Sequence, residues 1–157
     1  LSVREVLKYG NKTLKRVSRR VEKIDDTILD TVEDLRDTLK EDAGGIGLSA
    51  PQIGVLKRII LIDLKEEDFT PIVLINPKII KKIGHEESVE GCLSYPGYEG
   101  IVIRPKKVIV TGLNLDDKEV NYTADGLLAK AFCHEIDHLD GILYMEKAKK
   151  IYKLDKK

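Results

Sequence analysis

The chain has no tryptophan, one methionine and only two cysteines in 157 residues. Two cysteines, Cys92 and Cys133, cannot build a disulfide scaffold, and the expected setting is the reducing cytoplasm. Excess charge is missing too: 27 Lys and Arg balance 27 Asp and Glu. A neutral chain lacks the basic field of a general nucleic-acid binder, so no specific DNA binding is expected. Long apolar runs are absent. Residues 1–20, LSVREVLKYGNKTLKRVSRR, break every apolar stretch with charge, which predicts neither a signal-peptide core nor a membrane span. The chain opens on Leu1 rather than Met, the expectation for a start that lies upstream or has been trimmed. No repeat or low-complexity linker stands out. What is present is a chain 42% hydrophobic and 34% charged, the balance of a soluble globular protein, with a length that fits one domain over residues 1–157.

Periodicity predicts an α+β fold. In residues 25–45, Ile28, Val32, Leu35 and Leu39 recur at helical spacing; Asp25 or Asp26 offers the cap, and Gly44 and Gly45 the stop. GIGLSAPQIG (45–54) is too rich in Gly and Pro for an ordinary strand. The apolar runs RIILID (58–63), PIVLINPKII (71–80), KKVIVTGLNL (106–115) and the shorter EVNYTA (119–124) read as strands. Residues 115–118 suggest a hairpin turn between the last two. DGLLAKAFCHEIDHLDG (125–141) reads as a second helix, capped by Thr123 or Asp125 and ended near Gly141. Leu128, Phe132, Ile136 and Leu139 form one stripe of it; Leu127, Ala131, His134 and His138 form the neighbouring face. The expected architecture is a single α+β domain with short mixed or antiparallel sheets around this helix. Residues 147–157 read as a lysine-rich tail or helix end.

HEIDH (134–138) carries the sharpest chemistry. Two histidines four apart on a helix point the same way, at a spacing one metal ion spans, and Glu135 beside the first reaches water at that ion. Two histidines need a third ligand. Cys92, in EGCLSYPG (90–97), supplies a thiolate suited to zinc or ferrous iron, and would leave one position open for catalysis. Spacing alone reads Cys92 equally well as an ordinary buried thiol. His85 is a rival ligand but sits in a polar stretch that looks exposed. Cys133 neighbours His134, about 100° away around the helix, and reads as packing or a support to the site. A Cys92–Cys133 disulfide would compete with the metal.

Taken with GIGLSAPQ (45–52) and EGCLS (90–94), HEIDH closely resembles the three motifs of bacterial peptide deformylases, in order and at suitable spacing. NPKI (76–79), RPKKVIV (104–110) and residues 124–144 extend the likeness over nearly the whole chain. The resemblance implies Cys92, His134 and His138 as metal ligands and Glu135 as acid–base. It implies Gln52 through its amide and Leu93 through its backbone N–H as oxyanion donors. It implies hydrolysis of the formyl group of N-formylmethionyl nascent peptides, releasing formate, by water that the metal activates. The implied metal in the cell is Fe(2+), with Ni, Co or Zn able to substitute. Gly45 and Gly47 would let a peptide backbone approach like an added strand. Ile46, Leu127, Ala131 and the flat face of His134 would line a methionine pocket. Glu90 and Arg104 would pair and brace the Cys92 loop, and Lys130 would point outward or snorkel. Two departures are visible: Ser49 stands where the family commonly has alanine, and Cys133 where a glutamine often precedes the first histidine.

Competing readings are a metallohydrolase acting on other N-acyl peptides, an HExxH peptidase, and a structural metal module. The last fills all four positions with protein ligands and leaves Glu135 and Gln52 without a task. The substrate emerges from the ribosome, so a transient contact there is implied, with Lys147, Lys149, Lys150, Lys153, Lys156 and Lys157 as candidate contacts to RNA phosphates.

Overall fold

A computed structural model describes residues 2–155. Helix α1 (Asp26–Lys40) begins where the Asp25 carboxylate accepts the Ile28 N–H at 3.1 Å, satisfying one of the donors every helix start leaves orphaned. Ile28, Val32, Leu35 and Leu39 all lie on its buried face. The helix ends at Lys40, before the glycines expected to stop it. Asp42 organises the exit, its side chain accepting the N–H of both Gly44 and Gly45 at 2.9 Å, a local bond that competes with helix continuation.

Strands β1 (Gly47–Ser49), β2 (Ile59–Ile62), β3 (Ile72–Ile83), β6 (Lys107–Leu113) and β7 (Glu119–Asp125) form an antiparallel five-stranded sheet in the order β1-β2-β3-β6-β7. Strands β4 (Glu86–Cys92), β5 (Tyr95–Arg104) and β8 (Lys150–Lys153) form a second antiparallel sheet in the order β4-β5-β8. The large sheet is covered on both faces. On one, Ile59, Leu61 and Ile75 pack with α1. On the other, Ile60, Ile62, Leu74, Val108 and Val110 pack with Phe132, Ile136 and Leu139 of helix α2 (Gly126–Leu139). A strand covered on both sides has no polar face to show, which is why β2 is an unbroken apolar run.

The α+β expectation holds, with both sheets antiparallel. Some local expectations do not. GIGLSAPQIG does contain a strand, because Gly47–Ser49 pairs with Ile60–Ile62 before a 3-10 turn (Ala50–Ile53) takes over. Strands β4 and β5 were not foreseen. In the segment expected as a lysine-rich tail or helix end, a helix end passes into a strand. Lys147 closes the short helix α3 (Tyr144–Lys147), and Lys150–Lys153 pairs with Tyr98–Ile101. Lys156 and Lys157 lie outside the described residues. Among those described, no helix is long and apolar enough to cross a membrane.

Candidate metal centre

Three elements deliver the site. The HEIDH segment lies on α2, the helix that closes one face of the large sheet, so its histidines are held by the main core. Cys92 ends β4, just before the Leu93–Ser94 turn into β5. Gln52 sits in the 3-10 turn after β1. The fold thereby gathers one ligand atom each from Cys92, His134 and His138 within 4.8 Å of one another. Cys92 Sγ is 3.4 Å from His138 Nε2. His85 is exposed and stands apart from this cluster.

The donor set fits a divalent ion. One thiolate and two imidazoles suit zinc or ferrous iron, and three protein ligands leave a position open. His134 Nδ1 lies 2.9 Å from Glu90 Oε1, which fixes the ring and turns its other nitrogen to the cluster, the usual support of a metal-binding histidine. The two rings are shifted in opposite directions. Burial pushes the His134 pKa down, yet Cys92 and Glu90 overcome it and hold the ring well above the ordinary histidine value. Burial, then the neighbouring His134, drives His138 well below that value.

Glu90 and Arg104 form the expected pair. Arg104 Nε and Nη2 donate to the two Glu90 oxygens at 2.8 Å each, a bidentate bond, with both side chains buried. Burial raises the Glu90 pKa, but the bonds from Arg104 and His134 win and bring it to about 2. Sequence reading missed the third member, Asp137, which accepts from Arg104 Nη1 at 2.7 Å. Asp137 lies inside HEIDH itself, so β4, β5 and α2 are joined through one guanidinium.

The cluster floors a cleft of ≈650 Å³ lined by Gly45, Ile46, Gly47, Gln52, Glu90, Cys92, Leu93, Leu127, Ala131, His134 and Glu135. His138 lies behind it, 1% exposed. Leu127 is 52% exposed at the cleft mouth, while Ala131 is buried. Lys130, also on the cleft, turns to Glu86 at 3.0 Å. Glu135 is buried, and its Oε1 has no hydrogen-bond partner among the described residues. Burial lifts its carboxyl to about 7. Gly47 is required by this carboxylate as much as by any ligand: a Cβ there would lie 2.6 Å from Glu135 Oε2.

Gln52 is 1% exposed. Its Nε2 donates to Ser94 Oγ at 3.1 Å and lies 3.5 Å from Cys92 Sγ. Its Oε1 accepts from Ser49. Neither serine was singled out for this contact from sequence, although Ser49-x-x-Gln52 carries the spacing of a capping box. Cys133 packs into the core between α2 and the sheet, and both cysteines are free.

A cysteine sulfur and two imidazoles gathered at the base of a cleft, beside a buried carboxylate and a side-chain amide, define a metal-dependent hydrolase. The model of the polypeptide deformylase family matches residues 3–154. The chain is 48% identical over 147 residues to a peptide deformylase of Lachnoclostridium phytofermentans, covering 94% of this chain and 90% of that one. Its fold matches a peptide deformylase crystal structure from Legionella pneumophila, with TM-score 0.89 and 37% identity over 94% of this chain and 86% of that one. It also matches a peptide deformylase from Synechococcus elongatus in complex with actinonin, with TM-score 0.88 and 38% identity over 96% and 81%. The chain belongs to the polypeptide deformylase family. Its activity is metal-dependent removal of the formyl group from N-formylmethionyl peptides.

Proposed function

We propose that Cys92, His134 and His138 hold one divalent ion, Fe(2+) in the cell, and that Glu135, Gln52 and the Leu93 N–H carry the chemistry. The observation that carries this reading is the placement of Glu135 and the Gln52 amide around the three-ligand cluster at the floor of one cleft. When bound, the ion supplies Lewis-acid polarisation and lowers the pKa of an adjacent water toward roughly 7. Glu135, lifted to about 7 by burial, takes a proton from the attacking water and returns it to the leaving nitrogen, which would otherwise depart as a costly anion. Gln52 Nε2 and the Leu93 N–H donate to the developing oxyanion. Arg104, through Glu90, holds His134 in its tautomer.

The peptide would lie along β1, the edge strand of the large sheet, whose outer side pairs with no strand among the described residues. Gly45 and Gly47 border it, and Ile46, Leu127, Ala131 and His134 would receive the methionine side chain. The whole of residues 1–157 acts as one catalytic unit on the nascent chain. Brief docking on the ribosome would use the exposed lysines of β8, Lys150 and Lys153, together with Lys147 and Lys149.

Formate release from formyl-Met-Ala-Ser tests the reading, with protein loaded anaerobically with ferrous iron, beside nickel- and zinc-loaded samples and Glu135→Gln. Fast release by the iron and nickel forms, and loss of at least about a hundredfold in a metal-loaded Glu135→Gln, is the expected result. Actinonin, held by the Synechococcus relative, should compete with the peptide. Rapid turnover by Glu135→Gln would remove Glu135 from the mechanism.

A further inference from the structure

We infer that Ser49 and Ser94 are positioning residues that clamp the Gln52 amide from its two ends and so decide which of its faces meets the substrate. The inference rests on the oxyanion role proposed for Gln52. An amide has two unlike ends: its N–H groups stabilise a developing oxyanion, and its carbonyl oxygen repels one. A half-turn about the last side-chain torsion exchanges them, and that torsion is intrinsically soft. In a buried residue the neighbours must choose.

Ser49 makes the choice at the oxygen end. Its backbone N–H donates to Gln52 Oε1 at 3.0 Å, and its hydroxyl donates to the same oxygen at 2.9 Å. A backbone N–H can only donate, so a flipped amide would set two donors against each other in a dry interior. The hydroxyl occupies the second lone pair of the oxygen. Ser94 acts at the nitrogen end. Its Oγ accepts one Nε2 hydrogen at 3.1 Å, and the 3.5 Å approach of Nε2 to Cys92 Sγ points the other toward the ligand cluster. Both serines are fully buried. Each comes from a different motif, so the clamp also ties the turn after β1 to the turn after β4.

Alanine at position 49 keeps the backbone donor and loses the hydroxyl. Ser49→Ala is therefore a mild variant that should fold and load metal normally, which thermal unfolding and metal content would verify. In metal-loaded protein, Ser49→Ala and Ser94→Ala should each lower kcat roughly three- to tenfold, the effect of one neutral hydrogen bond, with KM unchanged. In a Gln52→Ala background, adding Ser49→Ala should change kcat no further, because its target is gone. A second readout is independent of turnover. The side-chain amide signals of Gln52, assigned by their loss in Gln52→Ala, should broaden and exchange with solvent faster in Ser49→Ala.

Native kcat in Ser49→Ala with unchanged amide signals would overturn the clamp. So would a loss of equal size in the Gln52→Ala background, which would mark a general packing role. If Gln52→Ala itself turns over at the native rate, the oxyanion reading falls instead, and the amide signals alone decide whether the serines fix the side chain.

Discussion

At the scale of single residues, the site is crowded in a way that assigns each small side chain a reason. Gly47 shows this best. Its place in a Gly-x-Gly stretch suggested room for a substrate backbone, yet the atom a side chain would first meet is Glu135 Oε2, at 2.6 Å. Its Cδ and Cγ lie 3.0 Å from the same point, so the whole end of this buried side chain would have to shift toward the cleft that it lines. Gly47→Ala should therefore push Glu135 off its position. We expect kcat to fall by at least about tenfold, since misplacement of a reacting group by an ångström is enough for a hundredfold loss. Metal content should be unchanged, because neither ligand helix face nor Cys92 is touched. A Gly47→Ala enzyme with native kcat would show that Glu135 moves freely. The histidine pair was legible in the sequence from its helical spacing with Glu135 between; the thiol stood open between ligand and buried residue, and the glutamine of GIGLSAPQ entered only through the family resemblance. Asp137 and Ser94 sat in the same motifs unread. Their roles depend on Arg104 and Gln52, which the chain brings to them from 33 and 42 residues away, and no local pattern announces a partner at that distance.

Elements were legible in proportion to how one-sidedly they are buried. Helices α1 and α2 each present one continuous apolar face, and β2 is apolar throughout, so their periodicity is plain. The small sheet gives no such signal. Its strand β4 reads Glu-Glu-Ser-Val-Glu-Gly-Cys, and it buries Ser88 and Glu90 while exposing Val89. The inward side is polar because it faces Arg104 and His134 rather than a hydrophobic core, which inverts the usual alternation. A sheet edge built for chemistry thus hides from a reading based on hydropathy. Strand β8 is the opposite case, a lysine-rich segment held by backbone pairing with β5. Ending the chain after Lys149 would remove the outer strand of a three-stranded sheet and the Tyr152 hydroxyl bond to Glu99. Two strands alone are marginal in water. Truncation should therefore lower the midpoint of thermal unfolding and reduce turnover even on a formylated tripeptide. Reversing charge at Lys150 and Lys153 should spare both. A truncated chain with native stability and turnover would return the segment to the status of a tail.

For the whole molecule, the large sheet with α1 and α2 forms one body, and the small sheet joins it through the packing of Leu93 against the α1 core and through polar contacts at the site. Arg104 is the junction: it bonds Glu90 on β4 and Asp137 on α2, while Glu90 bonds His134. The joint has a pH signature. Glu90 titrates at about 2 in the folded protein against an ordinary 4.5. Its folded-state pKa is depressed, so it contributes stability that is present above 4.5 and is lost as pH falls from there toward 2. Glu90→Gln removes that titration and leaves Arg104 with Asp137 as its remaining carboxylate, so the loss should be smaller than the roughly 3–5 kcal/mol of a buried charge left unpaired. Unfolding midpoints of the two chelator-treated proteins should differ most at neutral pH. The gap should narrow as pH drops from 4.5 to 2, because the native protein loses what the variant never had. Comparing the two curves cancels, to first order, the titration of every group they share. A gap that stays constant through this window would mean that Glu90 holds the small sheet by shape alone, and that its charge serves only the histidine it orients.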